Sequence, residues 1–476
     1  MPLHISLNGR KDLGDEIYRQ IRRAILDGQL RPGDRLPPSR ELARTLAVSR
    51  TTVTVAYERL RGEGFVTSRL GAGTFVSELI GSDESRPTRH RSVLRPRAIW
   101  DPIPLPTVFD HPAKFDFRSG IPDASLFPHR AWRRLVARAL RSREMAATAY
   151  AHPAGHHGLR AAIARHLAIS RGVRASADDI TITAGTQQAL DTLARALLAP
   201  GEKIAIEDPG YEPPKRLFQA LGLRVIGIPV DRGGLVVDAL PRDVRAVYVT
   251  PSHQYPLGVA MTPPRRQALL AWADRNNAAI IEDDYDSEFK FAERPLDSLQ
   301  ALDTKGRVIY VGSFSKTLLP ALRLGFLIAS HPLQSALHKA KYVSDWHTPT
   351  LAQTALAHLI EEGGFARHIR RANKVYRERH ETLANAITRD FSDHLELIPS
   401  TTGLHLTALA RAASVERITS IARLAMDSGV AFQRLSSFAV GDSAQAGVVL
   451  GYGGIATGQI QEGLHRLRNC FDASLQ

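Results

Sequence analysis

Residues 312–327 read GSFSKTLLPALRLGFL. Lys316 follows two small hydroxyl residues, Ser313 and Ser315, and Arg323 stands seven positions on, inside a run that is otherwise apolar. Buried charge is costly without partners. Either the rest of the chain supplies those partners, or both cations are surface groups whose stems lie along apolar neighbours.

Working outward, the run continues a β-branched stretch, RVIYVGSFS (307–315), and similar stretches recur upstream. They are DITIT (179–183), KIAIED (203–208), LRVIGIPV (223–230), AVYVTP (246–251) and AAIIEDDY (278–285). Between them lie Ala-, Leu- and Arg-rich stretches of helical character, such as TQQALDTLARALL (186–198) and PPRRQALLAWADRNN (263–277). Alternation of this length predicts an α/β fold with a mostly parallel sheet covered on both faces. From about residue 334 the pattern becomes mainly helical, and the last hundred residues predict a smaller α/β subdomain.

Several residues on these stretches suit one chemistry. A lysine that forms a Schiff base with pyridoxal phosphate needs a phosphate cup, a carboxylate for the pyridine nitrogen, a donor for the phenolic oxygen and a ring to stack on. Gly185, Thr186 and Gln187 sit between a strand and a helix, where free amides and the helix dipole favour phosphate. Ser313, Ser315 and Arg323 complete that cup, the arginine being able to grip phosphate bidentately. Alternation along IIEDDYDSEF (280–289) places Asp283 and Tyr285 on one face, for the ring nitrogen and the phenolic oxygen respectively. Tyr211, in EDPGYEPP (207–214), is the stacking ring. Taken singly each has a plainer reading, as a capped turn, a solvated strand end or ordinary packing.

The N-terminal 77 residues follow another pattern. LGDEIYRQIRRAILDGQL (13–30) carries Leu13, Ile17, Ile21, Ile25 and Leu26 at helical spacing and ends at Gly28. A short helix with Ser39 as N-cap follows, then a break at Ala47 and Val48, then a helix capped by Ser49 that runs to about Gly62. FVTSRLGAGTFVS (65–77) alternates around Gly71 and Gly73 as a hairpin. Helix, tight break and second helix is the layout of a helix-turn-helix, whose second helix enters the major groove. Its first turn holds Ser49, Arg50, Thr51 and Thr52, with Thr54 beyond. Arg40 is placed for the backbone, and the hairpin tip, Arg69 to Gly73, for the minor groove. Lys and Arg outnumber Asp and Glu by 13 to 8 in residues 1–77, within a net charge of +14 for the chain.

Domain boundaries follow: a winged helix-turn-helix over 1–77, a Pro-, Arg- and Ser-rich linker over 78–114 and the α/β domain over 115–476. No apolar run is long enough for a membrane span and the start lacks signal-peptide order, so a cytoplasmic protein without membrane contact is expected. Cys470 is the only cysteine, which excludes intrachain disulfides and thiolate zinc clusters. His152, His156 and His157 have no acidic or thiolate neighbour in sequence, and no metal is assigned to them.

The stretch IYRQIRRAILDGQLRPGDRLPPSRELARTLAVSRTTVTVAYERLRGEGF (17–65) resembles the winged helix-turn-helix of GntR-type bacterial regulators. The resemblance implies double-stranded DNA as partner, with contacts at Arg40, Ser49, Arg50, Thr51, Thr54 and Gly71. Residues 115–470 resemble the fold-type I aminotransferases: SFSK implies the Schiff-base lysine, and TPSHQYPLG (250–258) is similar to the family's Asn-Pro-x-Gly loop, with Tyr255 where an asparagine supports the phenolic oxygen. A C-terminal arginine holds the substrate carboxylate in that family, and AFQRLSSF (431–438) offers Arg434. The fusion resembles the MocR subfamily of GntR-type regulators. That implies a transcriptional regulator sensing pyridoxal phosphate or an amino compound, with little transaminase turnover, as a head-to-tail, domain-swapped homodimer. A working aminotransferase with a DNA-binding appendage, and a DNA-binding protein whose large domain only dimerises, are the alternatives.

Overall fold

The computed structural model describes residues 5–7, 12–69, 71–78, 94–101, 103–105, 113–141, 150–291, 297–441 and 444–474. Much of the linker assigned to 78–114 therefore lies outside the described residues. The chain divides into two compact units, Met1–Arg97 and Ala98–Gln476.

In the first unit α1 (Leu13–Leu26) buries Ile17, Tyr18, Ile21, Ala24 and Ile25, the face its spacing predicts. The next two helices, α2 (Ser39–Thr45) and α3 (Arg50–Gly62), are separated by a turn at Ala47, whose φ of 52° reverses the chain. Ser39 is the first helical residue rather than the cap. The carbonyl of Pro38 already accepts from the amides of Glu41 and Leu42, at 2.9 and 3.0 Å, which places the cap one residue earlier. Ser49 does cap α3, its hydroxyl accepting from the Thr52 amide at 3.1 Å. One side of α3 buries Val53, Ala56, Tyr57 and Leu60, and the Tyr57 hydroxyl ties it to the Pro37 carbonyl at 2.8 Å. Strands β1 (Val66–Arg69) and β2 (Gly73–Val76) pair antiparallel as the predicted hairpin.

The second unit has β3 (Phe115–Asp116) as its first described strand and is built on an eight-stranded sheet. Its strands are β4 (Ile180–Thr183), β5 (Lys203–Asp208), β6 (Arg224–Asp231), β7 (Gly234–Leu235), β8 (Val244–Val249), β9 (Ala279–Asp284), β10 (Val308–Ser313) and β11 (Gly325–Ile328). Their order is β4-β11-β10-β9-β8-β5-β6-β7. The five central strands from β10 to β6 are parallel, whereas β11 runs antiparallel between β10 and β4, and β7 antiparallel at the edge. The apolar runs of these strands reflect burial on both faces. Ile204, Ile206 and Ile281 pack with Leu190 and Leu193 on one side, while Ala205, Val247 and Ile280 pack with Leu269 and Trp272 on the other.

A second, antiparallel sheet forms the C-terminal subdomain, from β12 (Leu395–Leu397), β13 (His405–Ala410), β15 (Gln433–Arg434) and β16 (Gly447–Gly451) in the order β12-β13-β16-β15. The intervening β14 (Val430–Ala431) pairs with β3, which stitches the start of the unit to its end. The parallel strands all finish at one edge of the large sheet. Because β11 reverses twice between β10 and β4, β4 finishes there too, so Gly185, Asp208, Thr250, Asp283 and Ser313 converge outside the carboxyl ends, where open α/β sheets bind ligands.

Candidate functional site

Lys316 lies in the connection, residues 314–324, from β10 to the antiparallel β11, and its Nζ donates to the Gly120 carbonyl at 2.6 Å. A Cβ on Gly120 would stand 3.2 Å from that nitrogen, so the glycine leaves room for the lysine tip. Burial lowers the lysine's pKa, opposed first by Asp286 and then by Asp283. A larger fraction of neutral amine, the form that attacks carbonyls, is the consequence.

Asp283 is 3 % exposed at the end of β9. Its Oδ2 accepts from the Tyr248 hydroxyl at 2.7 Å, while its Oδ1 is buried with no hydrogen-bond partner. Burial, chiefly, pushes its pKa up to about 7. An unpartnered, desolvated carboxylate oxygen is what a protonated ring nitrogen would satisfy.

Arg323 adopts a left-handed conformation, φ 48°, at the turn into β11, and its Nη2 donates to the Ala184 carbonyl at 2.7 Å. A Cβ on Gly185 would fall 2.9 Å from that Nη2, so the glycine lets the guanidinium lie on the strand-to-helix turn. No side chain caps the helix Thr186–Leu197, which leaves its first-turn amides at Thr186 and Gln187 for a ligand. The Gln187 side chain points to the Pro213 carbonyl at 3.2 Å. Ser313 and Ser315 flank the lysine, the Ser315 amide donating to the Ser313 hydroxyl at 3.1 Å. Lysine, unpaired acid, arginine and open helix start together fit pyridoxal phosphate.

The aromatic residues form a box. Tyr255 meets Tyr211, Tyr285, His405 and Phe438 edge to face, with ring centroids 5.5, 5.9, 5.2 and 5.2 Å away. Tyr285 lies past the end of β9, so strand alternation does not set its direction. Its hydroxyl donates to the His253 carbonyl at 2.9 Å and stands 3.1 Å from His253 Nδ1. The Tyr255 hydroxyl is 2.6 Å from Ser119 Oγ, which in turn donates to Gln433 Oε1 at 2.5 Å.

Arg434 is not brought to this cluster. On the two-residue strand β15 it is Gln433 that faces Ser119, and Arg434 points the other way, its Nη1 donating to Thr419 Oγ1 at 2.8 Å. Sequence reasoning also missed Tyr248, Ser119, Gly120 and Gln433. Tyr248 was traceable: it registers with Ile281 on the neighbouring strand, so it shares a face with Asp283 two residues on.

A second cluster was not legible either. His253, Asp286 and His405, all buried, have ligand atoms within 4.8 Å of one another, as a metal site would require. The group is also internally bonded: His253 Nδ1 is 3.0 Å from Asp286 Oδ2, and His405 Nε2 is 2.9 Å from the Pro256 carbonyl. Of the histidines singled out in sequence, His152 serves a turn, accepting from the Ala154 amide at 3.1 Å, and His156 caps the helix His157–Arg171, accepting from the Leu159 amide at 3.0 Å.

In the first unit Arg40, Arg50 and Thr51 are exposed, and Arg69 and Gly71 are exposed at the hairpin tip. The Ser49 hydroxyl lies 2.8 Å from that of Thr52, and Thr54 Oγ1 donates back to the Arg50 carbonyl at 2.9 Å.

Asp283 makes a prediction of its own. Its proton is held more tightly in the folded chain, about pKa 7, than in the unfolded one, roughly 3.9, so cofactor-free protein loses stability as pH rises from about 4 through about 7. Asp283→Asn removes that loss. Melting of the cofactor-free variant should show a gain of roughly 1–3 kcal/mol at pH 8 and little change at pH 4.

Comparison with known proteins places both units. Residues 113–455 match the family of class I and II aminotransferases, and residues 13–76 the gntR family of bacterial regulatory proteins. The chain is 36% identical to the probable rhizopine catabolism regulatory protein MocR of Rhizobium meliloti, over 96% of this chain and 93% of that one. It is 34% identical to the pyridoxine biosynthesis transcriptional regulator PdxR of Corynebacterium glutamicum, over 95% and 94%. The α-aminoadipate aminotransferase LysN of Thermus thermophilus, solved with N-(5'-phosphopyridoxyl)-L-leucine, superposes with a TM-score of 0.69 at 30% identity, over 76% of this chain and 92% of that one. With a GntR helix-turn-helix joined to a class I and II aminotransferase domain, and MocR-like similarity along nearly its whole length, the chain belongs to the MocR-type, GntR-family transcriptional regulators.

Proposed function

We propose that this regulator binds double-stranded DNA through the N-terminal face of α3 and reads pyridoxal phosphate, together with an amino compound, through the site around Lys316. The observation that carries the reading is the unpartnered Oδ1 of Asp283 on the same sheet edge as a desolvated lysine.

Pyridoxal phosphate supplies, when bound, an aldehyde that condenses with amines. The residues of the chain do the rest. Lys316 provides the resident amine, whose burial favours the neutral form while Asp286 and Asp283 oppose that. Asp283 would meet the ring nitrogen with its free Oδ1, while Tyr248 keeps its other oxygen occupied. Arg323, with Gly185, Thr186, Gln187, Ser313 and Ser315, would grip the phosphate. Tyr211 would stack on the ring, and Tyr285 and Tyr255 would serve the phenolic oxygen. Release of the Lys316 amine when another amine occupies the site would change the charge facing Asp283 and Asp286, and that change would bias DNA binding. On the DNA side, Ser49, Thr52 and Thr54 order the start of α3 while Arg50 and Thr51 read bases. Arg40, Arg69 and Gly71 hold backbone or minor groove. The protein acts as a head-to-tail homodimer in the cytoplasm.

The test is a footprint on operator DNA with cofactor-free protein, with cofactor and with cofactor plus amines. Expected is a change in affinity or protected length on adding cofactor, and a second change with an effective amine. An unchanged footprint throughout sinks the sensing role, and steady exchange of amino groups at ordinary enzymic rates would replace it with an aminotransferase.

A further inference from the structure

The group that meets an amine beyond its nitrogen is set by what surrounds Lys316 on the side of Gly120. Ser119, its neighbour in sequence, places a hydroxyl between Tyr255 OH at 2.6 Å and Gln433 Oε1 at 2.5 Å, and donates its amide to the same Gln433 oxygen at 2.8 Å. Three neutral hydrogen-bonding side chains thus converge beside the lysine tip. The rest of that wall is the aromatic box of Tyr211, Tyr285, His405 and Phe438 around Tyr255.

The nearby cations are committed elsewhere. Arg434 is turned to Thr419 by the alternation of β15. Arg118 makes a bidentate pair with Asp116, Nε to Oδ1 at 2.9 Å and Nη2 to Oδ2 at 2.5 Å. Arg323 lies on the Ala184 carbonyl in the phosphate cup. Asp283 and Asp286 add negative charge that disfavours an anion. Among the described residues, none of these arrangements leaves a guanidinium for a carboxylate at the Ser119 wall, whereas hydroxyl donors and acceptors are abundant.

We propose that the effector is a hydroxylated amine without a carboxylate, of the amino alcohol or amino sugar class, read by Ser119 and Gln433, with Tyr255 holding the Ser119 hydroxyl in place. The proposal rests on the cofactor reading of Lys316 and deepens it.

Serinol and L-serine differ only in a hydroxymethyl group against a carboxylate, which makes them the probes. Full-length protein loaded with pyridoxal phosphate is titrated with each, following the cofactor's absorption and, independently, the melting temperature. Serinol should produce both shifts at a concentration about tenfold or more below that of L-serine, the scale of one or two hydrogen bonds. Gln433→Arg should reverse the order. Ser119→Ala, a smaller change that retains folding if the arginine variant does not, should cost serinol about three- to tenfold and L-serine little. Equal responses, a preference for L-serine, no response to serinol, or a Ser119→Ala variant with unaltered preference overturns the proposal while the cofactor reading stands. Failure of the wild type to take up the cofactor at Lys316 overturns both, and is seen before any amine is added.

Discussion

Lys316→Ala should abolish the yellow of the cofactor-loaded protein, and borohydride reduction, which should fix one phosphopyridoxyl group on the peptide containing Lys316 of the wild type, should fix none on the variant. The reason is local. Lys316 is the amine held at the edge where Asp283 lacks a partner, and its Nζ is already oriented by the Gly120 carbonyl at 2.6 Å. Losing the covalent link leaves the cofactor to its noncovalent contacts with Arg323, the helix-start amides, Asp283 and the tyrosines, a loss of about a hundredfold or more in affinity. Responses of operator binding to both cofactor and amine should vanish with it. Peptide mapping and a spectrum decide the matter together. A reduced adduct on another lysine, such as Lys341 or Lys290, would move the site, and a variant as yellow as the wild type would remove it.

What the sequence made legible follows the range of the interactions involved. Ser49 caps α3 through a contact three residues long, and such a contact is written in the local order of residues. The parallel sheet was legible because burial on both faces leaves continuous apolar runs, and the lysine because a charge inside such a run demands a cause. Tyr285 shows where that reasoning stops. Period-two alternation holds only within a strand, and β9 ends at Asp284, so the tyrosine's direction is set by the His253 carbonyl instead. Arg434 fails for a related reason: β15 has two residues, and which of them faces the site depends on pairing with β16, where Gln433 registers with Val449 and Arg434 with Val448. Ser119, Gln433 and the His253, Asp286 and His405 cluster are assembled from distant segments, the first pair 314 residues apart. No local pattern announces them.

Arg50→Ala should weaken operator binding by about 5- to 150-fold, the value of a good base contact, without lowering the melting temperature. Position and partnership separate this arginine from its neighbours on the same helix. Arg50 is exposed in the first turn of α3, beside the Ser49 cap and at the rim of the face that buries Val53, Ala56, Tyr57 and Leu60. Arg59, two and a half turns on, is structural: it pairs with Asp15 at 3.0 Å and Glu63 at 3.3 Å and lies 4.0 Å over the Tyr18 ring, tying α3 to α1. Arg59→Ala should therefore lower the melting temperature only slightly, because the pairs are half exposed, and leave operator specificity unaltered. Salt dependence then resolves what Arg50 touches. If it reads a base edge, its loss relaxes preference at one operator position and leaves the slope of log affinity against log salt nearly intact. If it holds a phosphate, binding weakens uniformly across sequences and the slope falls by about 1. Normal affinity in Arg50→Ala, at every salt concentration and on every operator variant, would show that α3 does not enter the groove by its N-terminal turn.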